Sequence, residues 1–233
     1  MDKDREKQAV ARAGLNFIQD GQVVGLGSGS TSAFFIQFLG ERVRAGLQIR
    51  SIPTSMRAQQ LAQKCGIRLA TLDEIRTIDV GVDGTDEFDP QFQLIKGGGG
   101  ALLREKIVAS VSKQFVVLAD SSKHVPFLGK FPLPIEVVPF AETVLTQRIS
   151  ALGATVILRK AQDGSAYKTD EGHHILDCHF GKIPDPGALA QTLSGMPGVV
   201  EHGLFIKMAS VILLGQAWHY EGRCRAMLTS RWG

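Results

Sequence analysis

The chain is predicted to be an α/β protein: a Rossmann-like parallel sheet flanked by helices, with a second, smaller α+β domain. Three observations predict it. Strand-like apolar runs alternate with helical runs from the N-terminus to Ala119, the pattern of a parallel sheet wrapped on both sides. Segments rich in glycine, hydroxyls or acids come directly after several of those runs, at the carboxyl ends where open α/β sheets bind ligands. Pro126, Pro132, Pro134 and Pro139 then break the rhythm, and the elements beyond them suggest a small antiparallel module.

Residues 4–19 place Val10, Ala13, Phe17 and Ile18 on one face at helical spacing, with Gly21 as the stop. Gln22–Leu26 reads as a buried strand. Ser30 or Thr31 is the expected cap of a helix over 32–45 that carries Phe34, Phe35, Phe38 and Leu39 into the core. A strand at Ile49–Ile52, a helix at 55–65 ended by Gly66 and a short strand at Ile67–Ala70 come next. Strand Ile78–Val82, a helix at 101–112 and strand Phe115–Ala119 complete the alternation. Beyond the prolines the sequence predicts a helix near 141–152, strands at Thr155–Leu158 and Ile175–Phe180, a helix near 187–194 and a strand around Val199–Val200. Leu204–Ile206 and Val211–Leu214 read as strands returning to the first sheet. The domains are therefore expected at 1–128 plus 205–233, and at 129–204.

Composition narrows the class. With 233 residues, 44% of them hydrophobic, the chain can bury a substantial core. A net charge of +3 is too mild to argue for nucleic acid, yet suits a small anionic substrate. The basic tail, Arg223, Arg225 and Arg231, reads as a solvated end. Cys65, Cys178 and Cys224 are far apart and lack metal or disulfide spacing, so a reducing cytoplasm is expected. The N-terminus lacks the apolar run of a signal peptide, and no apolar run approaches the roughly 20 residues of a membrane helix.

Three segments carry the chemistry. Gly25-Leu26-Gly27-Ser28-Gly29-Ser30-Thr31 lacks the third glycine of a dinucleotide fingerprint and the Gly-Lys-Ser/Thr of a P-loop. Its hydroxyls at a helix N-terminus instead suit one phosphate or sugar hydroxyls. Asp83-Gly84-Thr85-Asp86-Glu87-Phe88-Asp89 does not have EF-hand spacing. Asp83 and Asp86 are expected to face inward onto sugar hydroxyls, with Glu87 and Asp89 facing solvent or capping the next stretch of chain. Lys96-Gly97-Gly98-Gly99-Gly100 leads into Arg104-Glu105-Lys106. Four glycines are costly at a helix entrance unless backbone passes close to a ligand. Glu105, expected about one and a half turns into the helix, can point into the cleft as a general base, its pKa raised by partial burial. Asp120-Ser121-Ser122-Lys123 ends the next strand and offers Lys123 to a phosphate. His173, His174 and His179 lack metal spacing and read as surface or strand residues.

Together these segments resemble the type A family of ribose-5-phosphate isomerases. GSGST, VDGTDEFD, IKGGGGALLREK, ADSSK, LGKFPLPIEVVPF and PGVVEHGLF occur in the family's order over nearly the whole chain. The resemblance implies interconversion of D-ribose 5-phosphate and D-ribulose 5-phosphate without metal or organic cofactor, in a dimer or tetramer. It implies Glu105 as the proton-transfer base, with Asp83, Asp86 and Lys96 assisting ring opening and polarising oxygens. It also implies substrate contacts at Ser28, Gly29, Ser30, Thr31, Asp83, Gly84, Thr85, Asp86, Lys96, Gly97, Gly98, Gly99 and Lys123. Gly100 stands where the family more usually has Ala, and Ser28 where it often has Thr. A sugar-phosphate sensor on the same fold would not need Glu105 and Lys96. A deaminase would need a histidine-assisted acid, and a coenzyme A transferase a glutamate nucleophile and a larger cleft.

Overall fold

The computed structural model describes residues 3–217 and 224–230. Its α-helices are α1 (Lys3–Gly14), α2 (Ser30–Arg44), α3 (Met56–Lys64), α4 (Leu102–Ser110), α5 (Glu142–Ser150) and α6 (Pro186–Ser194). The strands up to the prolines are β1 (Val23–Leu26), β2 (Arg50–Pro53), β3 (Ile78–Gly84), β4 (Glu87–Phe88), β5 (Leu94–Ile95) and β6 (Ser112–Asp120). The others are β7 (Leu133–Val137), β8 (Thr155–Leu158), β9 (His174–His179), β10 (Val199–His202), β11 (Leu204–Phe205), β12 (Val211–Ala217) and β13 (Cys224–Ser230). Of the tail, Trp218, His219, Arg223, Arg231 and Trp232 lie outside the described residues.

Two compact units form. The first takes the chain up to Thr85, Arg104–His124 and the chain from Met208 onward. It holds a six-stranded sheet in the order β13-β12-β6-β3-β1-β2, parallel except for the antiparallel edge pair β12–β13. Val24, Leu26, Phe35, Leu39, Val82, Val116 and Leu118 form its core, so the aromatic run of α2 is buried as its spacing predicts. β2 lies on one side of β1 and β3 on the other. That reversal of strand order opens a crevice at the carboxyl ends of β1 and β3, the standard ligand position of an open parallel sheet.

The second unit comprises Asp86–Leu103 and Val125–Lys207. Its four-stranded antiparallel sheet runs β10-β7-β9-β8, and a three-stranded sheet runs β11-β5-β4. Leu133, Ile135, Val137, Leu145, Ile149 and Leu176 are wholly buried in its core. The unit boundaries differ from those expected at 128 and 205. Phe88 accepts a hydrogen bond from the Val125 N–H, Glu87 accepts from Gly129, and Ile95 pairs with Leu204, which ties 86–103 to the later chain.

Other expectations are corrected by pairing. Leu204–Phe205 joins β5 antiparallel and does not return to the first sheet, whereas Val211–Ala217 does. Residues 67–70 make a single bridge, Leu69 to Ser51, and no strand. The first helix stops at Gly14 and tightens to a 3₁₀ turn over Leu15–Phe17. β7 was hidden by Pro134 and the prolines that flank the strand; Pro134 is tolerated because the register of β10 ends opposite Ile135, so no ladder bond to β10 needs its missing N–H. Cys65 and Cys178 are free thiols, and burial pushes the Cys178 thiol well up. Among the described residues no helix is long and apolar enough to cross a membrane.

Gly203 stitches the second unit together. Its N–H donates to Pro134 O at 2.8 Å and its carbonyl accepts from Lys96 N at 2.9 Å. A Cβ there would lie 2.2 Å from Lys96 O and 3.2 Å from Pro134 O, backbone atoms that cannot swing aside. Gly203→Ala is therefore expected to destabilise the fold by about 1–3 kcal/mol, read as a lower denaturant midpoint with unchanged slope.

Candidate active site

In the first unit the turn after β1 enters α2 at Ser30, with Gly29 at the N-cap position and no side-chain cap. The expected capping by Ser30 or Thr31 does not occur, because the turn itself delivers the chain into the helix through Gly29 at φ 101°. Ser30 is exposed and Thr31 half-buried at the positive end of a 15-residue helix, where unsatisfied N–H groups favour an anion. The Ser28 hydroxyl lies 2.9 Å from Thr54 Oγ1 and donates to Ser55 Oγ at 2.7 Å. Arg57 lines the same recess as Gly27, Ser28, Gly29 and Ser55. Sequence reasoning missed Thr54, Ser55 and Arg57, and only the Ser55 N-cap of α3 had a local signal.

Asp83, next to last in β3, has 2% of its surface exposed. Its Oδ1 accepts from the Gly84 N–H at 2.7 Å and the Ser32 hydroxyl at 3.0 Å. A Cβ on residue 27 would fall 1.9 Å from that same oxygen, so Gly27 is required by Asp83 itself. Thr85 is buried just beyond. Glu105 is also buried, 4% exposed, and is the fourth residue of α4, in its first turn. It therefore lies nearer the helix start than the glycine count implied, since α4 begins only at Leu102.

The loop carrying Lys123 is fixed by carboxylates. Glu6, wholly buried on α1, accepts from the Ser121 N–H at 2.7 Å and its hydroxyl at 3.1 Å. Asp120 accepts the Ser122 N–H at 3.0 Å and its hydroxyl, while Lys123 N–H donates to Asp120 O. Glu6 was not foreseen: a single acid in a polar first turn gives no sequence signal.

In the second unit Asp86 is half-buried and its Oδ2 accepts the Gly98 N–H at 2.7 Å. Glu87 and Asp89 are buried, not solvated. Glu87 accepts the N–H groups of Gly129 and Phe131, and Asp89 those of Gln91 and Gln93, so they organise loops. Lys96 is 2% exposed, with its Nζ 5.5 Å from the Phe205 ring centroid. Protein packing accounts for three of the four glycines after it. Gly97 and Gly100 have φ of 106° and 81°, and a Cβ at Gly98 would meet Asp86 Oδ1 at 2.7 Å. At Gly100 it would also meet Tyr167 Oη at 2.3 Å. Gly99 alone has neither positive φ nor any atom within 4 Å of that position. Of the four glycines, only Gly99 is thus left for a ligand to explain. His173 and His174 contact Glu136 and Glu142 at 2.9 and 2.7 Å.

Burial pushes the Asp120 carboxyl up, but hydrogen bonds from Ser122 and the charges of Lys123 and Lys3 outweigh it and hold the pKa below the usual aspartate value. This stabilisation is complete above a pH of about 4 and is lost as pH falls through the lowered value. Asp120→Asn should lower stability at neutral pH and flatten its decline as the pH falls below about 4. Urea midpoints measured across that range check the slope.

The chain matches the family Ribose 5-phosphate isomerase A (phosphoriboisomerase A) over residues 50–218. A ribose-5-phosphate isomerase A of Rhodopseudomonas palustris strain HaA2 is 53% identical over 218 residues, covering 91% of this chain and 94% of its own length. The solved ribose 5-phosphate isomerase A from Methanocaldococcus jannaschii is 38% identical with a TM-score of 0.92, over 99% of this chain and 100% of that one. A D-ribose-5-phosphate isomerase solved in complex with phospho-erythronic acid is 39% identical with a TM-score of 0.93, over 99% and 100%. Fold, ordered motifs and these matches together establish that this chain belongs to the ribose 5-phosphate isomerase A family.

Proposed function

We propose that this chain interconverts D-ribose 5-phosphate and D-ribulose 5-phosphate by proton transfer through a cis-enediol(ate), with Glu105 as the base. The observation that carries the reading is a carboxylate, 4% exposed, in the first turn of the helix after the lysine–glycine loop, in a chain of this family. Glu105 takes the proton from C2 of the open aldose and returns it to C1. One base serves both carbons because they present one face in a cis-enediol. The carbonyl oxygen at C1 gains a proton as the hydroxyl at C2 gives one up, so the overall reaction neither adds nor removes electrons.

Abstracting a proton beside a carbonyl requires a positioned base and a group that meets the developing oxyanion. Lys96 supplies a cation for the oxyanion, while Asp83 and Asp86 take or give protons at the sugar oxygens during ring opening. Ser28 to Thr31, with the N–H groups that start α2, suit the phosphate, and Lys123 adds a charge. Gly84, Thr85 and Gly97 to Gly99 present backbone to the sugar. The complex of a family relative with phospho-erythronic acid supports an enediolate: a planar carboxylate on a phosphorylated four-carbon chain imitates that intermediate. No step calls on a metal or organic cofactor. The working form is proposed to be a dimer, or a tetramer, in the cytoplasm.

Glu105→Gln is expected to cut kcat by about 10²- to 10⁴-fold while leaving sugar phosphate binding nearly intact, because general base catalysis is worth that much. Steady-state assay with chelator present, paired with direct binding, reads both; comparable turnover in the variant sinks the base assignment. Lys123→Ala should raise KM for ribose 5-phosphate with kcat little changed. An unchanged KM moves the phosphate to other residues.

A further inference from the structure

We infer that Arg159, anchored by Asp177, is a positioning residue that sets the glycine loop after Lys96 in its substrate-binding conformation. The inference rests on the reading that this loop contacts the sugar. Arg159 comes directly after β8 and is 15% exposed in its side chain. Its Nε donates to Asp177 Oδ2 at 2.9 Å and its Nη2 to Asp177 Oδ1, a two-pronged pair that fixes the guanidinium plane against β9. The remaining nitrogen, Nη1, donates to the carbonyls of Gly97 at 3.0 Å and Gly98 at 3.2 Å. One planar cation thus ties two consecutive peptide units to a strand of the sheet.

Peptide planarity carries this tie further along the loop. In a trans peptide the C=O of one residue and the N–H of the next point in opposite directions. Holding Gly97 O turns the Gly98 N–H the other way, where Asp86 Oδ2 accepts it at 2.7 Å. Holding Gly98 O turns the Gly99 N–H away from Arg159. Among the described residues that N–H has no protein acceptor, and it belongs to the one glycine of the four that packing and φ do not require. Arg159 therefore leaves a single backbone donor, on an exposed glycine with open space beside its Cα. The Tyr167 ring, 5.9 Å from the guanidinium carbon and with its hydroxyl over Gly100, closes the other side of the clamp. Burial pushes the Tyr167 phenol up against the opposing Arg159 charge, so it stays a neutral hydroxyl at physiological pH.

A lysine keeps the charge but cannot hold a carboxylate and two carbonyls in one plane. Arg159→Lys and Asp177→Asn are both expected to lower kcat/KM for ribose 5-phosphate by roughly ten- to hundredfold, the scale of a misplaced contact. The loss should fall on KM, with kcat near wild type, because a binding contact is removed and not the base. Circular dichroism and the unfolding midpoint read the fold of each variant, and Gly99→Ala tests the underlying reading in parallel. A raised KM in Gly99→Ala, Arg159→Lys and Asp177→Asn, with native spectra, supports the inference. A raised KM in Gly99→Ala beside wild-type KM in the other two overturns the positioning role and leaves the loop reading standing. Wild-type KM in Gly99→Ala overturns the loop reading and the inference with it. Loss of the native spectrum in both Arg159→Lys and Asp177→Asn makes the pair structural and overturns the inference as well.

Discussion

Within each unit, the loops that carry the candidate residues depend on approaches too close for a Cβ atom. In the first unit the Asp83 carboxylate occupies the space a side chain at residue 27 would fill. The turn after β1 can therefore lie directly against the end of β3, at the reversal of strand order. In the second unit Gly203 meets the Lys96 carbonyl and Gly98 meets Asp86 in the same way. These contacts involve backbone or short carboxylate stems, so a methyl group there cannot be absorbed by a rotamer change. Close packing leaves little slack for such insertions, and that rigidity holds short polar side chains in place.

A second organising feature is the use of carboxylates as loop caps. Asp83, Asp86, Glu87, Asp89, Asp120 and Glu6 each accept backbone N–H groups of a nearby turn. Charged acceptors make stronger hydrogen bonds than neutral ones, and a buried N–H without an acceptor is costly. The acid-rich segment is thus largely architecture. Asp86, for example, is occupied by the Gly98 N–H and so holds the turn that leads to the exposed Gly99. Glu105, like Glu6, sits in the first turn of a helix, where negative charge is favoured.

Much of this was legible in the sequence. The alternation of apolar runs pointed to the parallel sheet, and Phe35 and Leu39 proved wholly buried where helical spacing put them. The glycine loop, Asp83, Lys96 and Glu105 stood out because such residue types are costly unless used. What escaped was non-local. β4, β5 and β11 are two-residue strands, too short for any periodicity, and their pairing drew 86–103 into the second unit. β7 was masked by Pro134, whose lost donor matters only on a side that β10 does not reach. Glu6, Ser32, Thr54 and Arg159 act across long sequence separations, so nothing near them in the chain announces the partner. Gly97 and Gly98, expected as substrate contacts, also have internal reasons to be glycine, a left-handed φ and the approach of Asp86, that no local sequence pattern announces.

Catalysis in this reading turns on proton transfer through an enediol(ate) at a single carboxylate. Running the reaction in deuterium oxide and following C1 of ribulose 5-phosphate by proton NMR tests it most directly. A base that exchanges with solvent during the life of the intermediate places deuterium at C1, and does so stereospecifically because one face is used. Complete retention of the C2 hydrogen at C1 in the wild type, together with undiminished turnover by Glu105→Gln, would indicate direct hydride migration and contradict proton transfer at Glu105.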